Sequence, residues 1–132
     1  FTRSGDKEVT DNELINFNVV VNKLKIYFIA KDKSGEWGEL QAYPFNSNQN
    51  NSFHPSISSD GKILFFASDM LGGFGGTDLY VSFKQGDSWT FPENLGKQIN
   101  SPENEMFPYV SSDNKLFFGF GRTWNTSIRY NF

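Results

Sequence analysis

Few residues in this chain are equipped for covalent or acid–base chemistry. It carries one histidine, His54, and no cysteine. A lone histidine completes neither a catalytic triad nor a metal site without carboxylate or thiol partners, and the carboxylates here fall mainly in turn sequences, where turn chemistry accounts for them. The most distinctive local stretch is Asp69-Met70-Leu71-Gly72-Gly73-Phe74-Gly75-Gly76-Thr77-Asp78. Three chemistries compete for it. A phosphate cradle needs a helix N-terminus after the glycines, yet the strand-forming run Leu79–Phe83 follows. A calcium turn would use Asp69, Asp78 and backbone carbonyls, but the nonapeptide periodicity of such sites is missing. A wide hairpin, with glycines at positive φ and the two carboxylates accepting loop N–H groups, is the favoured reading. It leaves Phe74 exposed on the loop side as a partner contact, with Asp69, Asp78 and Arg122 as companions. No metal and no cofactor are expected.

The elements that must position these residues form a meander. Ile63–Ser68 and Leu79–Phe83 are strand-forming runs, preceded by an Asp60-Gly61 turn. The pattern recurs: Phe107–Phe118 repeats His54–Lys62 together with Leu64-Phe65-Phe66, Lys25–Phe28 matches Asp78–Val81, and Ser34–Trp37 matches Gly86–Trp89. Trp37 and Trp89 lie 52 positions apart and Pro55 and Pro108 lie 53 apart, a period near that of a propeller blade. Equivalent turns at Asp60-Gly61 and Asp113-Asn114 predict positive φ near Gly61 and Asn114. The recurrence of tryptophan at 37 and 89 predicts packing between blades. His54 and Phe107 share one repeat position, which asks chiefly for a flat ring. Phe1-Thr2-Arg3 reads as the tail of a strand, Ser4 to Asn18 as a polar excursion, and Glu36–Leu40 as an outer strand, with the exit Phe91–Gly96 in the corresponding place of the next repeat. After Phe118 the third repeat departs from the pattern.

Fifteen Phe, five Tyr, three Trp and twelve Gly among 132 residues favour an all-β chain. A net charge of −3 with interspersed signs lacks the basic stripe that nucleic acid requires. No apolar run approaches the roughly 20 residues of a spanning helix. The period divides the chain into blade remnants 1–47, 48–101 and 102–132, about two and a half antiparallel four-stranded blades. Closed propellers have typically 4 to 8, so a partial propeller is expected: a fragment of something longer, or a chain that self-associates to cover its open faces.

Phe45-Asn46-Ser47, His54 through Met70, Gly72 through Tyr80, Trp89, Pro92 through Gly96, Ile99-Asn100 and Glu105 through Pro108 resemble, in order and spacing, the WD-like propeller repeats of OmpA-family envelope proteins. The match spans most of Lys25–Phe118. It implies a periplasmic, outer-membrane-associated protein whose other domain binds peptidoglycan, similar to PorE-type adaptors of type-nine secretion and distantly to the TolB propeller, which docks onto a lipoprotein. The function so implied is a non-catalytic protein-interaction scaffold with other envelope proteins as partners. A carbohydrate- or peptidoglycan-fragment-binding propeller is the alternative. A glycosidase ranks last, because sialidase-like repeats place Trp after the Ser-x-Asp-x-Gly turn, whereas Lys62-Ile63-Leu64 follows Gly61 here.

Overall fold

The computed structural model describes the backbone of residues 2–4, 22–120 and 123–129, with side chains for 22–119. All regular structure in it is β, in antiparallel sheets. The first sheet is ordered β1 (Thr2–Ser4), β2 (Leu24–Phe28), β3 (Gln41–Ala42). The second contains β4 (Ser52–Ile57), β5 (Ile63–Ser68), β6 (Asp78–Gln85), β7 (Ser88–Trp89) and β8 (Glu93–Asn94). There β7 and β8 share the fourth place, β7 against Lys84 and Gln85 and β8 against Tyr80 and Val81. The third is β9 (Glu105–Val110), β10 (Lys115–Phe120) and β11 (Thr123–Arg129), with β10 central.

Strand register makes the sequence repeat a structural one. Thr2 pairs with Ile26 as Ala67 pairs with Leu79, so Thr2–Ser4 fill the place of the β5 tail. Ile57 faces Leu64 as Val110 faces Leu116, which makes the third sheet's turn one residue shorter. Both turns close alike. Ser58 N–H donates to the Ile63 carbonyl at 2.8 Å and Ser111 N–H to the Lys115 carbonyl at 2.9 Å, and each serine hydroxyl donates to the turn aspartate, Asp60 or Asp113. These bonds hold both exposed carboxyls below the usual range. Gly61 and Asn114 sit at φ 72° and 60°, the left-handed region that Gly and Asn tolerate best.

A second recurrence was hidden in the sequence. In β4, Phe53 faces Ala67 and Ser56 faces Phe65, leaving His54 and Pro55 opposite Phe66 alone; in β9, Phe107 and Pro108 are similarly placed against Phe118. Each is a bulge whose first residue has positive φ, 49° at His54 and 55° at Phe107, a conformation that costs a non-glycine residue about 1 kcal/mol or more. The two bulges turn their rings onto one another, stacked with centroids 4.0 Å apart and planes 19° apart. The flat ring asked for at this position is thus a contact between successive sheets.

The sheets pack face to face, and β5 shows why. Its six residues are all buried, because alternate side chains point to opposite faces and both faces are covered. Ile63, Phe65 and Ala67 join Leu79 and Val81 against Val110, Leu116 and Phe118 of the third sheet. Leu64, Phe66, Tyr80 and Trp89 pack against Ile26 and Tyr43 of the first. Each fully buried Phe or Leu in these layers contributes about 1.5–3 kcal/mol.

Two expectations fail in the first sheet. Trp89 does pack between sheets, 8% exposed and edge-on to Phe28, but Trp37 is 63% exposed, with the Lys31 ammonium over its ring at 4.7 Å. The two indoles are equivalent in pairing, Lys31 opposite Trp37 and Lys84 opposite Trp89; what differs is the sheet lying against them. Likewise Glu36–Leu40 forms no outer strand. It makes a single bridge at Trp37, and the strand that follows β2 is Gln41–Ala42.

Candidate interaction surface

The Gly-rich connection joins β5 to β6; Asp78 organises it from within and Asp69 ties it to the segment before β4. Asp78 is 1% exposed. Its carboxylate accepts the N–H groups of Phe74 at 2.5 Å and Gly75 at 3.0 Å, and the Asn94 amide at 2.9 Å. Asp69 accepts the backbone and side-chain N–H groups of Asn51 at 2.6 and 2.7 Å. The Asp78 bonds are the carboxylate-to-loop bonds expected of the hairpin reading, whereas Asp69 ties the start of the loop to Asn51 before β4; Phe74, 49% exposed, and Leu71, fully exposed, are the apolar side chains the loop presents to solvent. Arg122 lies outside the described residues.

The glycines answer a different need from the one expected. Only Gly72 takes a positive φ, 87°. At Gly75 a Cβ would stand 2.0 Å from the Glu103 carbonyl oxygen and 2.6 Å from that of Ser101, at Gly76 2.5 Å from the Asn104 amide oxygen, and at Gly73 2.1 Å from the Asp78 carboxylate. The loop lies directly on the segment that leads into the third sheet, where Thr77 bridges Asn104 and the Glu105 N–H donates to the Thr77 carbonyl at 2.9 Å. Glycine permits that approach by having no side chain.

Two further residues, not singled out from the sequence, take equivalent places. Asn46 accepts the Ile26 N–H at 2.9 Å and donates to the Ile26 carbonyl at 2.7 Å. Asn100 does the same at Leu79, 2.7 and 3.0 Å. Each connecting segment thereby clamps a strand of the sheet it leaves, β2 or β6, through one side-chain amide that mimics a peptide group. The signal was the recurrence of Phe45-Asn46-Ser47 as Ile99-Asn100-Ser101.

A groove of about 380 Å³ opens between the first and second sheets, lined chiefly by Ile26, Phe28, Ile57, Leu64 and Trp89, with Lys84 the one charged liner among the described residues. Its size suits a small ligand, but its described lining lacks the several convergent polar groups that would orient a substrate. Among the described residues no three His, Cys, Asp or Glu side chains come together. Burial pushes the Tyr43 phenol up to about 12, opposed by the nearby Ser82 hydroxyl. That hydroxyl donates to the Thr90 carbonyl at 2.6 Å, and the Tyr43 oxygen itself stays outside hydrogen-bonding geometry. No helix among the described residues is long and apolar enough to cross a membrane. No protein-family model, curated protein or solved structure matches the chain.

Proposed function

We propose that the chain is a run of β-propeller blade repeats serving as a non-catalytic protein-interaction scaffold, the propeller part of a bacterial cell-envelope adaptor of the OmpA-like, peptidoglycan-associated type. The observation that supports this reading is the recurrence of position-specific bonds: the Asn46 clamp recurs as the Asn100 clamp, and the Ser-Ser-Asp turn and positive-φ bulge of the second sheet recur in the third, where the two bulge rings stack. Repeats that cover each other face to face commit their inward residues to packing, which leaves connecting loops for recognition. The Gly-rich loop suits that role, because its aspartates and glycines fix the backbone and its exposed side chains, Leu71 and Phe74, are apolar. Exposed apolar side chains on a rigid loop favour a protein surface over a sugar. Sugar binding would need polar groups around a stacking ring.

Photo-crosslinking tests this reading. A photoreactive residue at Leu71, in the cell envelope of the source organism, is expected to give discrete protein adducts that Phe74→Ala weakens, and the chain is expected not to sediment with purified peptidoglycan. Sedimentation with peptidoglycan, or turnover of a glycan, would overturn it.

A further inference from the structure

The second sheet meets its two neighbours through equivalent elements, yet one of the two junctions is left open. Between the second and third sheets, Val110 is 6% exposed, Leu116 is fully buried, and Phe83 packs against the cluster that contains them. Between the first and second sheets the same places are held by Ile57 and Leu64, which face each other as Val110 and Leu116 do, and by Ala30. Ala30 matches Phe83 because Ile26 takes the register place of Leu79, and Lys31, next along, pairs with Trp37 as Lys84 pairs with Trp89. A methyl group therefore stands where the other junction has a phenyl ring, and Ile57 is left 52% exposed. The groove of about 380 Å³ lies at this position, with Ala30, Ile57, Leu64 and Trp89 in its lining. Both of its walls belong to sheets of this chain, so it is a feature of an internal junction and not of an outer face.

One end of the groove is cationic. Lys84 lies on β6 opposite Trp89, with its N–H donating to the Lys62 carbonyl at 2.8 Å, and among the described residues its ammonium has no carboxylate within ion-pair distance. At Gly61 and Lys84 the groove adjoins a polar recess whose other described liners are Asp60, Lys62 and Gly86. One Asp60 oxygen already accepts the Ser58 hydroxyl and the Lys62 N–H, so the recess sets two ammonium groups against one carboxylate that is partly satisfied.

We infer that the groove binds a small amphiphile, with its apolar chain in the space that Phe83 occupies at the other junction and a single terminal carboxylate on the Lys84 ammonium. Burial of the chain against Ile57, Leu64 and Trp89 supplies the attraction, and the unpaired cation selects the charge. The shortage of further polar groups makes this a binding site without a reaction. The inference concerns a junction between sheets and is independent of what the Gly-rich loop recognises.

Decanoate and its uncharged counterpart decanol test it, by two-dimensional NMR on the full chain. Decanoate at up to about 1 mM is expected to shift the Trp89 indole signal and the Ile57 and Leu64 amides saturably. Lys84→Met should weaken decanoate about tenfold and leave decanol within about twofold. Ala30→Phe, which installs the ring found at the equivalent place, is expected to bind neither probe; should that variant fail to fold, the Lys84→Met comparison decides alone. Absence of saturable shifts, shifts centred away from the groove, or equal losses of both probes in Lys84→Met would overturn the inference. So would a folded Ala30→Phe chain that still binds decanoate.

Discussion

Replacing Asn100 by alanine should be among the most damaging small changes in this protein. The side chain is 2% exposed and makes three hydrogen bonds: from the Leu79 N–H at 2.7 Å, to the Leu79 carbonyl at 3.0 Å and to the Asn94 amide oxygen at 2.8 Å. Two of the partners retain other donors. The Leu79 carbonyl keeps the Leu95 N–H at 3.1 Å and the Asn94 oxygen keeps the Gly96 N–H at 2.8 Å. The Leu79 N–H keeps none and lies in the core, so it carries the desolvation penalty of a buried unpaired donor, about 1–3 kcal/mol, beside a net loss of about 1 kcal/mol for each other bond. The expected destabilisation is therefore about 3–5 kcal/mol, a large share of the roughly 5–15 kcal/mol that holds a domain together. In urea, with a slope of roughly 1–3 kcal/mol/M, the midpoint should fall by at least about 1 M at unchanged slope. Asn46→Ala removes the equivalent two bonds at a half-buried site where water can replace them, and should cost about 1–2 kcal/mol. A loss below about 1 kcal/mol at Asn100, or a larger loss at Asn46 than at Asn100, would refute the clamp as a structural device.

Gly75→Ala should destabilise by about 2 kcal/mol or more, because its Cβ meets two backbone carbonyls that cannot swing away, whereas Gly72→Ala meets open space and should cost about 1 kcal/mol for its positive φ; chemical denaturation distinguishes them. Burial lowers the His54 pKa, so the folded state binds its proton less readily than the unfolded chain does. The associated stability is present above the unfolded value of about 6.5 and is lost as pH falls through the folded value. His54→Phe, which installs the ring found at the equivalent position 107, should keep the fold and flatten that part of the stability–pH curve, as followed by thermal melts from about pH 7 to 5. The Asp60 and Asp113 carboxyls, held low by their serine hydroxyls, should titrate below about 3.9 by NMR, and Ser58→Ala should return Asp60 toward that value.

The parts of this fold that local chemistry dictates were readable from residues alone. Asp60-Gly61 and Asp113-Asn114 announce turns because few residues accept a left-handed backbone, and Ile63–Ser68 announces a strand by its β-branched and aromatic run. What depends on a neighbour was not readable. Trp37 and Trp89 are the same residue in the same pairing, and only the presence of Phe28 over one of them decides which is core. The glycines at 73, 75 and 76 advertise positive φ, yet they serve close approach to side-chain and backbone oxygens of Asp78, Ser101, Glu103 and Asn104 that sequence spacing does not bring near. The bulges at His54 and Phe107 went unseen because ring-bearing residues rarely adopt positive φ, and nothing local to His-Pro or Phe-Pro predicts that the two rings meet. Of the candidate site residues, Phe74 could be read as exposed, but Asp78 could not be read as buried, since its satisfaction requires the folded loop.

The central claim, that equivalent sheets stack so that the middle one is covered on both faces, is most directly tested by residue-resolved amide hydrogen exchange. The account predicts that amides of β5 and the first half of β6, such as those of Phe65, Phe66 and Val81, exchange slowest and only by global opening, while β3 and the exposed edge of β4 exchange orders of magnitude faster. Equal protection across the three sheets, or faster exchange in β5 than in β2, would contradict it.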